Sequence, residues 1–258
     1  IHRPTAGEAR LLGTPSTKLG NRDFERVGYV SENQKMHEWM TLKQLLNYCR
    51  ALYPTWEEDF AQSLVKQFEL PTDRKLKKLS RGMKMKASLV SSLAYRPEVL
   101  ILDEPFSGLD PVVREEFVDG VLELTGQGEW TVFVSSHDID DVEPLADRVT
   151  ILENGRIRLD ESADQLRERC RHVSFSLPEK VSQKPELPET WLRVRTAGRR
   201  AEFVDSQFEE SGLEERVRQV WPEASEIEVA RLTLKQIYLA MLRSCLLYTS
   251  PSPRDTEV

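Results

Sequence analysis

Two short apolar runs, VLILD at Val99–Asp103 and TVFVS at Thr131–Ser135, restrict the fold of this chain more than any other feature in it. Neither run alternates polar with apolar residues, so each reads as a strand buried on both faces, the pattern of a parallel sheet. A parallel pair needs a crossover, and the residues between the runs supply one. Pro111 stands where a first-turn proline belongs and opens a helical pattern that runs to about Leu124. The alternation extends outwards. Arg26–Val30 reads as a strand. Leu42–Leu52 and Trp56–Phe68 read as amphipathic helices, with apolar positions three and four apart. Ser80 is placed as the N-cap of a helix to about Tyr95, and Asp138 starts another. The expectation is an α/β domain built on a largely parallel sheet.

Past this region the pattern changes. Arg148–Glu153 and Arg156–Asp160 are two strands joined by Asn154-Gly155, a strong hairpin signal. Beyond Asp160 comes a short charged helix, Ser162–Arg171. Val173–Leu177, Leu192–Thr196 and Ala201–Val204 follow as half-exposed strands, with a Pro-rich loop at Pro178–Pro188. Leu213–Trp221 is helical, Ile227–Ala230 a strand and Leu234–Leu246 a final amphipathic helix. This reads as a small α+β appendix, with a boundary near residues 160–172. Ser and Pro interrupt the helical pattern in Leu246–Val258, which is expected to be a non-native tail outside the fold.

Composition narrows the classes. Charged residues make up 31% of the 258, and no apolar run approaches the ~20 residues a spanning helix needs. The net charge of −7 argues against binding nucleic acid through the overall field. The three cysteines, Cys49, Cys170 and Cys245, are far apart and imply no disulfide framework, which fits a reducing cytosol. No charged-then-apolar leader opens the sequence.

The chemistry concentrates in Leu79–Asp110. Asp103 and Glu104 sit together at the carboxyl end of an apolar strand, the sheet edge where open α/β folds bind ligands. Paired acids there repel each other and lose hydration, and a magnesium ion offsets that cost. Asp103 is the candidate to hold the metal and Glu104 to point at a water attacking a phosphate. Taken alone, LSRGM at Leu79–Met83 is an ordinary capped helix start. As an anion site it offers unpaired N–H groups, the Ser80 hydroxyl, and Gly82 for close approach of a phosphate to the backbone. Arg74–Lys86 holds seven basic residues in thirteen, read either as a solvated face or as attraction for a polyphosphate. His137, in Ser135-Ser136-His137-Asp138, follows the second apolar strand at the same sheet edge and can donate to a terminal phosphate oxygen.

Each signal is common alone, but their order and spacing are not. From Pro4 to Asp160 the chain resembles the nucleotide-binding subunit of an ABC transporter. LSRGM resembles the signature, ILDEP the Walker B segment, SGLD the D-loop and SSHD the H-loop. PTAGEARLLG is similar to the hairpin after the P-loop helix, and VGYVSEN to the Q-loop segment. The resemblance implies a P-loop NTPase-like parallel-sheet core over 1–160, with a helical subdomain at about 35–96. It also implies that the α+β piece at 161–246 is an accessory domain like those on subunits of two-component exporters. ATP and Mg²⁺ are the implied cofactors. Asp103 and Glu32 would serve the metal, Glu104 would be the general base, and His137 would contact the γ-phosphate. Ser80, Gly82 and Asp110 would act across a head-to-tail pair of nucleotide-binding subunits, homo- or heterodimeric. The implied partner is a membrane-spanning subunit, contacted through Lys35–Lys78 on the cytoplasmic face of the membrane. Trp39, Met40 and Tyr48 are candidates for that contact, against core packing as the expected fate of most of them. No nucleic-acid partner is expected.

Three departures stand out. No G-x-x-x-x-G-K-[ST] occurs in the sequence, so the phosphate loop is expected upstream of residue 1, and this chain alone is expected to be inactive. Glu32 stands where the family has Gln, with Gln34 two residues on; the position after GYV favours Glu32. Arg81 and Met83 replace the Gly and Gln of the signature. Two other readings compete with the transporter subunit. One is a soluble ATPase of the same family acting on ribosome or DNA, supported by the basic run. The other is a non-catalytic regulatory subunit, opposed by the retention of Glu104 and His137.

Overall fold

The computed structural model describes residues 6–126, 130–178 and 185–246, with side chains as far as residue 242. The expected tail at 247–258 lies outside these, as does part of the Pro-rich loop. Chain contacts divide the molecule into two compact units between Val142 and Glu143. The division falls earlier than the change in sequence pattern after Asp160, because the Asn154-Gly155 hairpin makes its contacts within the second unit.

In the first unit, β1 (Arg10–Leu11) and β2 (Thr14–Pro15) form a hairpin over Leu12 and Gly13, both at positive φ. A short helix α1 (Asn21–Phe24) precedes β3 (Val27–Ser31). Then come α2 (Leu42–Leu52), α3 (Glu58–Gln67) and α4 (Arg81–Leu93), followed by β4 (Val99–Asp103), α5 (Pro111–Thr125), β5 (Thr131–Ser135) and α6 (Ile139–Val142). α2 starts where Thr41 and Gln44 close a reciprocal capping box, Gln44 N–H on Thr41 Oγ1 at 3.2 Å and Thr41 N–H on Gln44 Oε1 at 2.8 Å. Leu42, Leu45 and Leu46 of α2 and Phe60, Ala61, Leu64 and Val65 of α3 turn inward, as the periodicity predicts. α4 is the central element. It packs on β3, α2, α3 and α5, and only a narrow strip of it meets solvent.

The strands β3, β4 and β5 form a parallel sheet in that order, with Ser31, Asp103 and Ser135 in register at their carboxyl ends. Val30 and Leu102 are fully buried on the α4 side. The other face corrects the sequence reading of β5 as a buried strand. Tyr29, Ile101 and Phe133 lie in register on it, with Tyr29 46% and Phe133 63% exposed. Apolar composition predicted two covered faces, but among the described residues β5 is an edge strand and nothing in this unit covers that row.

In the second unit, β6 (Arg148–Glu153) and β7 (Arg156–Ser162) pair through Asn154 and Gly155, both at positive φ, as the hairpin signal requires. α7 (Ala163–Arg169) is capped by Ser162. β8 (Arg171–Ser176), β9 (Trp191–Ala197), β10 (Arg200–Asp205) and β11 (Ser225–Arg231) form an antiparallel sheet in the order β11-β8-β10-β9. α8 (Leu213–Val220) covers one face, burying Leu213, Val217 and the following Trp221 against Phe175, Phe203 and Trp191. The last helix is α9 (Leu234–Leu246). No helix among the described residues is long and apolar enough to cross a membrane.

Candidate active site

The register of the parallel sheet places one oxygen-bearing side chain at the end of each strand. Asp103 accepts from Ser135 Oγ at 2.8 Å through Oδ1, and from Tyr29 Oη at 3.2 Å and Ser31 Oγ at 3.4 Å through Oδ2. Sequence reasoning named Asp103 but missed its three hydroxyl partners. Strand alignment would have found them, since Tyr29 and Ser31 are two residues apart on one face of β3. The next residue, Glu104, leaves the strand at φ +51. That left-handed conformation is costly for a side-chain-bearing residue and is held from below, Glu104 N–H donating to the Ser135 carbonyl at 3.1 Å and Ser135 Oγ at 3.2 Å. Its carboxylate turns to His137, with Oε2 at 2.7 Å from Nδ1. His137 is positioned by a local turn: Asp138 N–H donates to Ser136 Oγ at 3.1 Å, and Ser136 Oγ donates to the Asp138 carbonyl. Asp141 of α6 is in turn tied to Arg114 of α5 by an ion pair. Burial raises the Asp141 carboxyl above its ordinary range, and the Arg114 charge works against that shift.

A second cluster forms where α4 and α5 begin. Ser80 caps α4, its Oγ accepting from Met83 N–H at 3.2 Å. Asp110 caps α5, with Oδ1 accepting from Val113 N–H at 3.1 Å. The two helix starts touch at Gly82, where an added Cβ would lie 2.4 Å from Val113 Cγ1. The absence of a side chain at Gly82 is thus accounted for by helix packing, whatever further part its backbone plays. Glu32 lies between the clusters. Its backbone N–H donates to the Asp103 carbonyl at 3.1 Å, but its carboxylate is engaged by the Arg81 guanidinium. That contact, with help from the Ser107 hydroxyl, holds the Glu32 carboxyl below the usual carboxylate range. Gln34 accepts from Ser88 Oγ on α4. The structure therefore joins Asp103, Glu104 and His137 at one end of the sheet, and directs the Glu32 side chain to the signature helix rather than to Asp103.

The basic run is less of an anion trap than its sequence implied. Arg81, Lys84 and Lys86 are paired with Glu32, Glu38 and Glu116. The three aromatic-segment candidates also separate. Met40 is in the core, whereas Trp39 is 63% and Tyr48 47% exposed, both within ring contact of His37. Core packing is therefore the fate of one of the three, not most, because only Met40 falls beneath the turn into α2. No group of three or more metal-ligating side chains occurs among the described residues. A single carboxylate ringed by hydroxyls fits a hard cation that takes most of its oxygens from phosphate and water.

Residues 1–107 match the family described as ABC transporter. The daunorubicin resistance ATP-binding protein of Streptomyces coeruleorubidus is 29% identical over 249 residues, covering 92% of this chain and 78% of its own length. Over residues 1–107 the chain is thus similar to the ABC transporter family. Its ABC transporter relative YtrB, an ATP-binding protein of Bacillus subtilis, is 29% identical over 158 residues, 61% of this chain. This chain spans about half the length of YtrB, 54%, and of other curated relatives it matches. Among solved structures, an ATP binding subunit of an ABC transporter superposes with a TM-score of 0.56 at 25% identity, covering 64% of this chain and 70% of the other. The cbiO1 protein of Clostridium perfringens, part of the transporter complex cbiONQ, gives 0.53 at 26% identity, covering 63% and 68%. ABC ATPases as a family bind and hydrolyse ATP, and this chain shares the α/β architecture on a parallel-sheet core of the solved ATP-binding subunits it resembles.

Proposed function

We propose that this chain is the ATP-binding and ATP-hydrolysing part of an ABC transporter subunit that powers a separate membrane-spanning partner. The observation that carries the reading is the 2.7 Å contact of Glu104 with His137 beside Asp103, at the carboxyl end of neighbouring parallel strands. Glu104 Oε2 is taken by His137, which leaves Oε1 to polarise a water and accept its proton. His137 fixes the Glu104 rotamer through Nδ1, and with both ring nitrogens protonated it would also donate from Nε2 to a phosphate oxygen. Asp103 would hold the Mg²⁺ of Mg-ATP, which when bound neutralises phosphate charge. Ser80, Gly82 and Asp110, at the adjoining helix starts, would meet the triphosphate held by a second subunit.

The uncovered Tyr29–Ile101–Phe133 row supports the same reading. A parallel sheet is stable with both faces covered, and a phosphate-loop segment, for which these 258 residues hold no motif, is the layer it calls for. The ATPase domain extends over about 1–160 and the accessory domain over 161–246. The exposed Trp39 and Tyr48 in the Lys35–Lys78 segment offer the contact for the membrane partner, which would hold the subunit at the cytoplasmic face of the membrane. The test is Glu104→Gln in the protein carrying its phosphate loop. ATP turnover should fall by about 10²–10⁴-fold while ATP binding is kept and the dimer tightens. Unchanged hydrolysis would remove Glu104 from this role.

A further inference from the structure

Two residues that depart from the family pattern, Glu32 and Arg81, are 49 positions apart in sequence and bind each other in the structure. The same guanidinium lies against the SGLD turn: a Cβ built on Gly108, at φ +65, would fall 2.5 Å from Arg81 Nη1. The Ser107 hydroxyl also helps hold the Glu32 carboxyl below the usual carboxylate range, after Arg81, and the Glu32 backbone N–H is fixed to the end of β4 at 3.1 Å. One side chain at the start of α4 thus gathers the loop after β3 and the turn after β4. The link has company. Lys84 reaches Glu38 at 3.0 Å, and Ser88 donates to Gln34. Positions 81, 84 and 88 share one face of a helix, so the three links form a ladder between α4 and residues 32–38. It borders a cavity of about 410 Å³ lined in part by Asn33, Met36 and Met85.

We infer that Arg81 is a positioning residue and that Glu32 is its counter-ion rather than a metal ligand. The carboxylate that replaces the usual amide and the arginine that replaces the usual glycine act as one unit, which holds the Ser107–Gly108 turn and the 31–34 loop to the signature helix. An unpaired Glu32 would add negative charge beside Asp103 and Glu104, and Arg81 neutralises it. An unpaired Arg81 would be free of the turn that it now packs on. For its effect on turnover the inference rests on the ATPase reading; for its effect on loop order it does not.

The test uses Glu32→Gln, Arg81→Gln, and the reciprocal swap carrying Glu32→Arg with Arg81→Glu. In amide hydrogen exchange on the chain, either single variant should raise exchange by about threefold at both 31–34 and 107–109, the scale of a surface ion pair. The swap should restore protection. In ATPase assays of the complete protein, both singles should lower kcat alike, with the Mg²⁺ concentration for half-saturation unchanged. A Glu32→Gln variant that shifts the Mg²⁺ requirement while Arg81→Gln does not would make Glu32 a ligand and overturn the inference. So would unchanged exchange at 107–109 in Arg81→Gln. Absence of ATPase activity in the complete wild-type protein would count against the proposed function, and the exchange result would still decide the role of Arg81.

Discussion

Gly82 tests whether a signature residue is set by helix packing or by ligand access alone. The perturbation is Gly82→Ala. Alanine is favoured over glycine inside a helix by about 1 kcal/mol, so an unopposed substitution should stabilise α4. The structure opposes it. Gly82 is buried, and the new methyl would arrive 2.4 Å from Val113 Cγ1 and 3.4 Å from both Val113 Cβ and Cγ2. Val113 sits in the first turn of α5 on a β-branched side chain with little rotamer freedom, so it has no easy retreat. Overpacking of this kind costs about 1–3 kcal/mol. The net expectation is a loss of up to about 2 kcal/mol, or a fall in melting temperature of up to roughly 8 °C at this chain length. Urea unfolding followed by circular dichroism, without nucleotide, measures it. Val113→Ala should relieve the contact, so the double variant should lose less than the two single variants added together. A Gly82→Ala protein that gains stability would refute the crowding argument and leave phosphate approach as the only account of Gly82.

Two further outcomes follow from other parts of the structure. Burial pushes the Cys49 thiol up to about 11. Its alkylation by iodoacetamide at pH 8 should therefore be about two orders of magnitude slower than that of a free thiol, and should accelerate with pH as the thiolate forms; site-resolved mass spectrometry that finds fast labelling at pH 8 would contradict the burial. In the second unit, Phe203 is fully buried and stacks on Trp191 at 4.2 Å between ring centroids. Phe203→Ala should cost about 3–5 kcal/mol, visible as loss of the near-ultraviolet tryptophan signal of that unit at a lower denaturant concentration. A cost below 1 kcal/mol would mean that this aromatic cluster is not its core.

Much of the fold was legible because it depends on local rules. Hydrophobic period marked α2, Ser80 caps α4 as its hydroxyl predicts, and Pro111 opens α5; the Thr41 and Asp110 caps came from the structure. Asn154-Gly155 supplied the two positive φ values of a tight hairpin. The order of LSRGM, ILDEP, SGLD and SSHD carried the resemblance to ABC transporter nucleotide-binding subunits without any coordinates. What composition could not show was coverage. TVFVS reads as buried because its residues are apolar, yet exposure depends on which layers lie on it, and Phe133 is open. Trp39 and Met40 are adjacent and equally apolar, but only one of them points into the core.

The sequence determined the elements, the strand ends that carry Asp103, Glu104 and His137, and the family resemblance, since each follows from residue type and spacing along the chain. Only the tertiary structure decided which groups meet: the hydroxyls around Asp103, the contact of Gly82 with Val113, and the pairing of Glu32 with Arg81. Those depend on register and helix packing, which bring together side chains that the linear order keeps dozens of residues apart.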